Sequence, residues 1–146
     1  MNDMLGFASR IVKENLIVKK FEYWTIAVRT GQVTVGSMII TLNRDCLDMT
    51  EVLPEEMAEF PVLCKWYQDR CKKLYDAEKF NYLALMMVDP FVHFHVIPRY
   101  SQTVEKYNMN WEDTGWPKLP NMGVIHDLTE EQLLQIREDF IKEDNQ

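Results

Sequence analysis

The stretch from Phe91 to Arg99 constrains the fold more than any other part of this 146-residue chain. A strand places side chains at i and i+2 on the same face. Phe91, His93, His95 and Ile97 therefore line one side, while Val92, Phe94 and Val96 line the other and read as core. Pro90 and Pro98 bracket the run, as expected where proline is confined to strand ends. Two imidazoles on one short, stiff strand suit a nucleophile and a proton donor near neutral pH. The same spacing fits half of a metal site, since neutral imidazole is a common zinc ligand, and it also fits two satisfied structural histidines.

The surrounding pattern predicts the company this strand keeps. Leu16 to Phe21 and Tyr23 to Val28 are rich in β-branched and aromatic residues and read as two strands. Thr30-Gly31-Gln32 is a turn, and Ser37 to Leu42 is a third apolar strand opened by Gly36. Phe80 to Met87 is a further strand, joined to the histidine strand by the Val88-Asp89-Pro90 turn as an antiparallel hairpin. Met57, Phe60, Cys64, Tyr67, Cys71 and Leu74 form a helical stripe over about 54–76. Pro54 fits its first turn, Glu55 and Glu56 sit near the positive end of its dipole, and Pro61 should bend it. On that stripe Cys64 and Cys71 read as core filling.

The ends of the chain add two shorter helices. One covers residues 3–13; the other opens on a Thr129/Gln132 capping box and carries Leu133, Ile136 and Phe140 on one face. Residues 101–126 read as irregular, an arm with Trp111, Trp116, Pro117 and Pro120 that packs on the domain or on a partner; His126 receives no role. Strands interrupted by one long helix, without βαβ alternation, indicate an α+β domain with an antiparallel sheet. The expectation is a single domain over 1–146, with about five strands, a core over about 16–100, and an arm and C-terminal helix over 101–146.

Composition bounds the function. Hydrophobic residues make up 47% and aromatic residues 12% of the chain, which excludes general disorder. No run approaches the length of a membrane span, and Met1-Asn2-Asp3-Met4 lacks the basic and apolar regions of a secretory leader. Three cysteines without a Cys-x-x-Cys pair indicate neither a disulfide framework nor a zinc ribbon. The expected compartment is the cytoplasm. Of the net charge of −7, a balance of −5 falls from Asp127 onward, so the body is nearly neutral. It offers no basic face for nucleic acid, yet a local pocket for a small anion remains open.

The histidine segment resembles the signature of the histidine triad (HIT) family, His-φ-His-φ-His-φ-φ with φ apolar, often followed by Pro-Arg. Setting Val96-Ile97-Pro98-Arg99 on the closing residues makes His95 the third histidine and His93 the second, with Phe91 in place of the first. The resemblance, to the diadenosine-polyphosphate hydrolase-like members, extends over roughly residues 21–100. This chain departs from it twice more: Gly36-Ser37 stands where many members have Gly-His, and no Gly-Gln loop precedes the histidines.

What the resemblance implies is a HIT-like α+β fold, commonly a homodimer, and nucleotidyl transfer or hydrolysis at an α-phosphorus with no cofactor and no metal. The substrate would be a dinucleoside polyphosphate or a nucleoside phosphoramidate. His93 would be the nucleophile, and His95 would bond phosphate oxygens or the leaving group. Arg29 stands where some relatives have a ribose-binding asparagine, and either grips a phosphate or lies on the surface. The nucleotide pocket would be walled by Gly36-Ser37, Ile26 and Val28. Two alternatives remain: a HIT-fold protein that binds nucleotides with negligible turnover because the triad is incomplete, and a metal-binding protein using the histidine pair with Asp89 as the nearest acid.

Overall fold

The computed structural model describes residues 12–143. All but the last two positions of the helix expected over 3–13 lie outside the described residues. In chain order come β1 (Ile17–Lys20), β2 (Trp24–Val28), β3 (Met38–Leu42), α1 (Pro54–Tyr75), β4 (Lys79–Leu83), β5 (His93–Arg99), β6 (Val104–Lys106), β7 (Met109–Trp111) and α2 (Glu130–Glu143). The first five strands form one antiparallel sheet in the order β1-β2-β3-β5-β4, so the architecture is α+β as the strand and helix pattern implies.

Register assigns the two faces of the sheet. Phe94 pairs with Ile40 and Ile40 with Ile26, while Val96 pairs with Met38 and Met38 with Val28. These residues belong to one core with Leu63, Tyr67 and Cys71 of α1 and Ile136 and Phe140 of α2. Aromatic rings fill its centre. Phe60 lies 4.9 Å from Trp24 and 4.7 Å from Phe94 between centroids, inside the range where tilted and edge contacts are favourable. Tyr67 stacks on Phe140 at 5.7 Å and so ties α1 to α2.

The buried side of α1 is Glu56, Leu63, Tyr67, Cys71 and Tyr75, turned by about one residue at each end from the expected stripe. At its start the shift has a local cause. Glu56 is drawn inward by Arg44, whose Nε and Nη2 donate to its two oxygens at 2.7 and 2.9 Å, and by the Leu53 N–H at 2.8 Å. Met57 is thereby left 40% exposed. Cys71 is fully buried and burial pushes its thiol up to about 12, in keeping with a packing role; Cys64 is half-buried. The helix runs through Pro61, which is exposed.

Two local expectations are corrected. The strand foreseen to Met87 ends at Leu83, because the Val92 N–H, just before β5, donates to the Cys46 carbonyl at 2.7 Å and draws the chain away from β4. Residues 84–92 form the connection, with Met87 and Val88 exposed. The arm also contains a second hairpin, β6–β7, where only irregular chain was foreseen. Its turn puts Tyr107 at φ 57 and Asn108 at φ 59, the left-handed pair that a two-residue hairpin loop needs. A tyrosine is unusual there; its hydroxyl bonds Tyr75 at 2.5 Å and donates to Asp139 at 2.8 Å, and its carbonyl accepts from Gln132 at 3.0 Å. No helix among the described residues is long and apolar enough to cross a membrane.

Candidate functional site

The two histidines emerge from β5 on the face turned away from the helices. Cross-strand partners share a face, so His93 sits beside Thr41 and Thr25, and His95 beside Ile39 and Ala27 on one flank and Leu83 on the other. Ala27 and Ile39 form a small second cluster with Val12 and Ile17. The imidazole centroids are 5.1 Å apart with planes at 79°. His93 is 4% exposed, and His95 is intermediate.

Each ring is oriented by a partner of opposite character. His93 Nδ1 lies 2.7 Å from the Phe91 carbonyl oxygen. A carbonyl only accepts, so Nδ1 carries the proton and Nε2 keeps its lone pair. Phe91 thus orients His93 through its backbone. Asp89 supports the arrangement by accepting the Phe91 N–H at 3.1 Å.

At His95 the logic reverses. Arg29 Nε donates to His95 Nδ1 at 3.2 Å. A guanidinium has no acceptor, so Nδ1 must be the unprotonated nitrogen and the proton resides on Nε2. Burial, then the Arg29 charge, then His93 hold His95 down to about 4. A free histidine charges near pH 6.5, so the unfolded chain gains a proton that the folded chain refuses. Stability is therefore complete above about pH 6.5 and is lost as pH falls toward about 4. The expected result is a urea midpoint that drops between pH 7 and pH 5, with a smaller drop in His95→Gln. An identical drop in that variant would show that His95 is not responsible.

Arg29 is held from behind by the turn that follows β2. Its Nη1 donates to the Gly31 carbonyl, and a Cβ on Gly31 would lie 3.2 Å from that same nitrogen, so the turn leaves room for the guanidinium. Gln32, fully buried, donates through Nε2 to the carbonyls of Arg29 and Ser37 at 2.6 and 2.8 Å, and its Oε1 accepts the N–H groups of Gly36 and Ser37 at 2.9 and 3.1 Å. His126 pairs with Gln32 as an isolated bridge and packs on Trp111 at 4.5 Å. Nothing in the local pattern marked Gln32 beyond its place in a turn, since all its partners depend on the folded loop.

The other sequence-derived site residues divide. Ser37 shares the histidine face by alternation, but its hydroxyl is engaged in its own turn, donating to the Thr34 carbonyl at 2.7 Å and accepting the Thr34 N–H at 3.2 Å. It does not neighbour Phe91: the β3–β5 register sets Ser37 level with Ile97, six positions and roughly 20 Å along the strand. Ile26 and Val28 are not brought to the histidines. They point to the opposite face, into the core under the helices, and the residues that stand beside His95 instead are Ala27 and Ile39. A groove of about 740 Å³ runs along β4 beneath Trp116 and Lys118 and reaches Leu83, the direct neighbour of His95. Among the described residues no group of three or more His, Cys, Asp or Glu comes together as a metal site.

No family model matches the sequence, and no curated protein is significantly similar to it. Solved structures are. The chain is similar to a histidine triad protein from Sinorhizobium meliloti, at 18% identity over 97% of this chain and 94% of that one, with a TM-score of 0.70. It is similar to a diadenosine triphosphate hydrolase from Plasmodium falciparum, at 11% identity over 99% and 97%, TM-score 0.68. The C. elegans NitFhit protein matches at 16% identity and TM-score 0.65 over 88% of this chain, which spans 27% of that longer protein. The fold is therefore that of the histidine triad proteins.

Proposed function

We propose that the protein is a nucleotide hydrolase or transferase acting at an α-phosphorus through a nucleotidyl-histidine intermediate. The observation that carries this reading is the opposed hydrogen bonding of the two neighbouring imidazoles: His93 Nδ1 faces a carbonyl and His95 Nδ1 a guanidinium, an arrangement that leaves a lone pair on His93 Nε2 and an N–H on His95 Nε2. In the first step His93 Nε2 forms a bond to phosphorus as the bond to the leaving group breaks, and His95 Nε2–H donates to a phosphoryl oxygen. Water then attacks phosphorus, the N–P bond breaks, and the nucleoside monophosphate departs with the water's oxygen. The similarity of fold to a diadenosine triphosphate hydrolase favours nucleotides as the substrate class.

The experiment is release of AMP from diadenosine polyphosphates and adenosine phosphoramidate in the presence of a chelator. Turnover by the natural sequence supports the reading, and its absence with every substrate overturns it. Phe91→His is expected to raise the rate by roughly tenfold, because a side-chain imidazole behind His93 would add a polar contact that the carbonyl alone supplies now. An unchanged or lower rate would show that the carbonyl suffices.

We also infer a homodimer. Among the described residues β4 is an edge of the sheet; Phe60 packs on its Tyr82, and Leu85, just past its end, remains 50% exposed. An unpaired edge flanked by apolar residues invites pairing. Sedimentation equilibrium at tens of micromolar, a concentration well above ordinary specific dissociation constants, should give twice the chain mass, and a monomer there contradicts it.

A further inference from the structure

The Arg29–His95 contact bears on which bonds the site can break, and the inference rests on the function proposed above. We propose that Arg29, anchored on the Gly31 carbonyl in a loop braced by Gln32, acts together with burial to deny His95 a second proton and so restricts the site to leaving groups that depart unprotonated, namely phosphates released from a phosphoric anhydride.

The geometry supplies each step. His95 Nδ1 faces the guanidinium Nε at 3.2 Å, a position from which a proton on Nδ1 would abolish the bond and set two cations in contact. The other neighbours offer no compensation. His93 stands at 5.1 Å with its own Nδ1 engaged, and Ile39 and Leu83 flank His95 across the strands. Among the described residues no carboxylate bonds the ring. Burial and the Arg29 charge accordingly hold His95 to about 4. The guanidinium is anchored by its Nη1 on the Gly31 carbonyl, and Gln32 fixes the loop that carries both by engaging the Arg29 carbonyl and three further backbone groups.

The chemistry then separates two substrate classes. When an anhydride is cleaved, the P–O electron pair stays on a phosphate oxygen whose conjugate acid has a pKa of about 6, so no proton is required. Cleaving a phosphoramidate leaves the pair on nitrogen, which must be protonated as the P–N bond breaks. A neutral His95 gives a hydrogen bond but is too weak an acid for that transfer, and general acid catalysis is typically worth about 10²–10⁴-fold.

The test compares diadenosine triphosphate with adenosine phosphoramidate in the natural sequence, Arg29→Ala and Gln32→Ala, alongside ¹⁵N spectra of the histidine rings. The natural sequence should favour the anhydride by about 10²-fold or more in kcat/KM. Arg29→Ala should raise the absolute rate on the phosphoramidate between pH 5 and 6, with the His95 titration moving upward; a merely lost contact would do neither. Gln32→Ala should move the His95 titration in the same direction, and Gln32→Glu, which keeps the acceptor for Gly36 and Ser37, decides the point if the alanine variant does not fold. Equal rates on both substrates, or an unmoved titration in Arg29→Ala, overturn this inference alone. No AMP from either substrate overturns the functional reading and takes the inference with it.

Discussion

Replacing His93 by alanine is expected to reduce AMP release to background, a loss of roughly 10³-fold or more. The size follows from the step it removes. If His93 Nε2 forms the N–P bond, no neighbouring group can substitute: His95 presents an N–H, and Thr41, directly across from His93, directs its hydroxyl to the Leu42 carbonyl at 3.3 Å. His95→Ala should cost less, about 10²-fold, because it removes stabilisation of developing charge and not the bond-forming atom. Denaturing quenching at alkaline pH during turnover, where an N–P bond to imidazole survives, followed by mass spectrometry of the peptide spanning 91–99, should find an adenylyl adduct in the natural sequence and none in His93→Ala. Equal rates with and without His93 would refute the nucleophile assignment.

The second large effect concerns stability, and it arises where the arm is locked to the sheet. Arg99 closes β5 and lies 4% exposed, against Asp113 at 1%. Their bond is bidentate, Nε to Oδ2 at 2.7 Å and Nη2 to Oδ1 at 3.1 Å, while Arg99 Nη1 also donates to Asn81 at 2.6 Å and Asp113 accepts the Tyr100 and Gly115 N–H groups at 3.1 and 3.2 Å. Removing one partner of such a pair leaves a buried charge without compensation. Asp113→Ala is expected to cost about 3–5 kcal/mol, read as a fall in the urea midpoint with little change in slope. Arg99→Leu combined with Asp113→Leu should recover part of that loss, since the penalty lies in the unpaired charge. A cost below about 1 kcal/mol in the single variant would place the pair in contact with solvent.

Local pattern made much of the fold legible. β5 alternates with period two, α1 carries apolar residues at helical spacing, and α2 opens on Thr129 and Gln132, whose side chains do form the capping pair: the Gln132 N–H donates to Thr129 Oγ1 at 3.1 Å and the Thr129 N–H to Gln132 Oε1 at 2.9 Å. Each of these signals lies within a few residues of sequence. The β6–β7 hairpin escaped because its strands are three residues long and its turn rests on Tyr107, a residue that gains left-handed geometry through contacts with Tyr75, Asp139 and Gln132.

The candidate site divides along the same line. The sequence by itself determined that His93 and His95 project side by side, because side chains alternate on any strand and no neighbour is needed to say so. Only the tertiary structure decided which flank the histidines face. That depends on the pairing of β5 with β3 and of β3 with β2, which turned Ile26 and Val28 to the core and put Ala27 and Ile39 on the histidine side. Protonation is likewise non-local. The His93 proton is set two residues away by the Phe91 carbonyl, but the His95 tautomer is set by Arg29, 66 positions earlier, whose guanidinium is anchored on the Gly31 carbonyl in a loop braced by the buried amide of Gln32. Hydrogen bonds of that kind exist once the sheet has closed, because strand pairing is what brings such distant residues within 3 Å or so of each other.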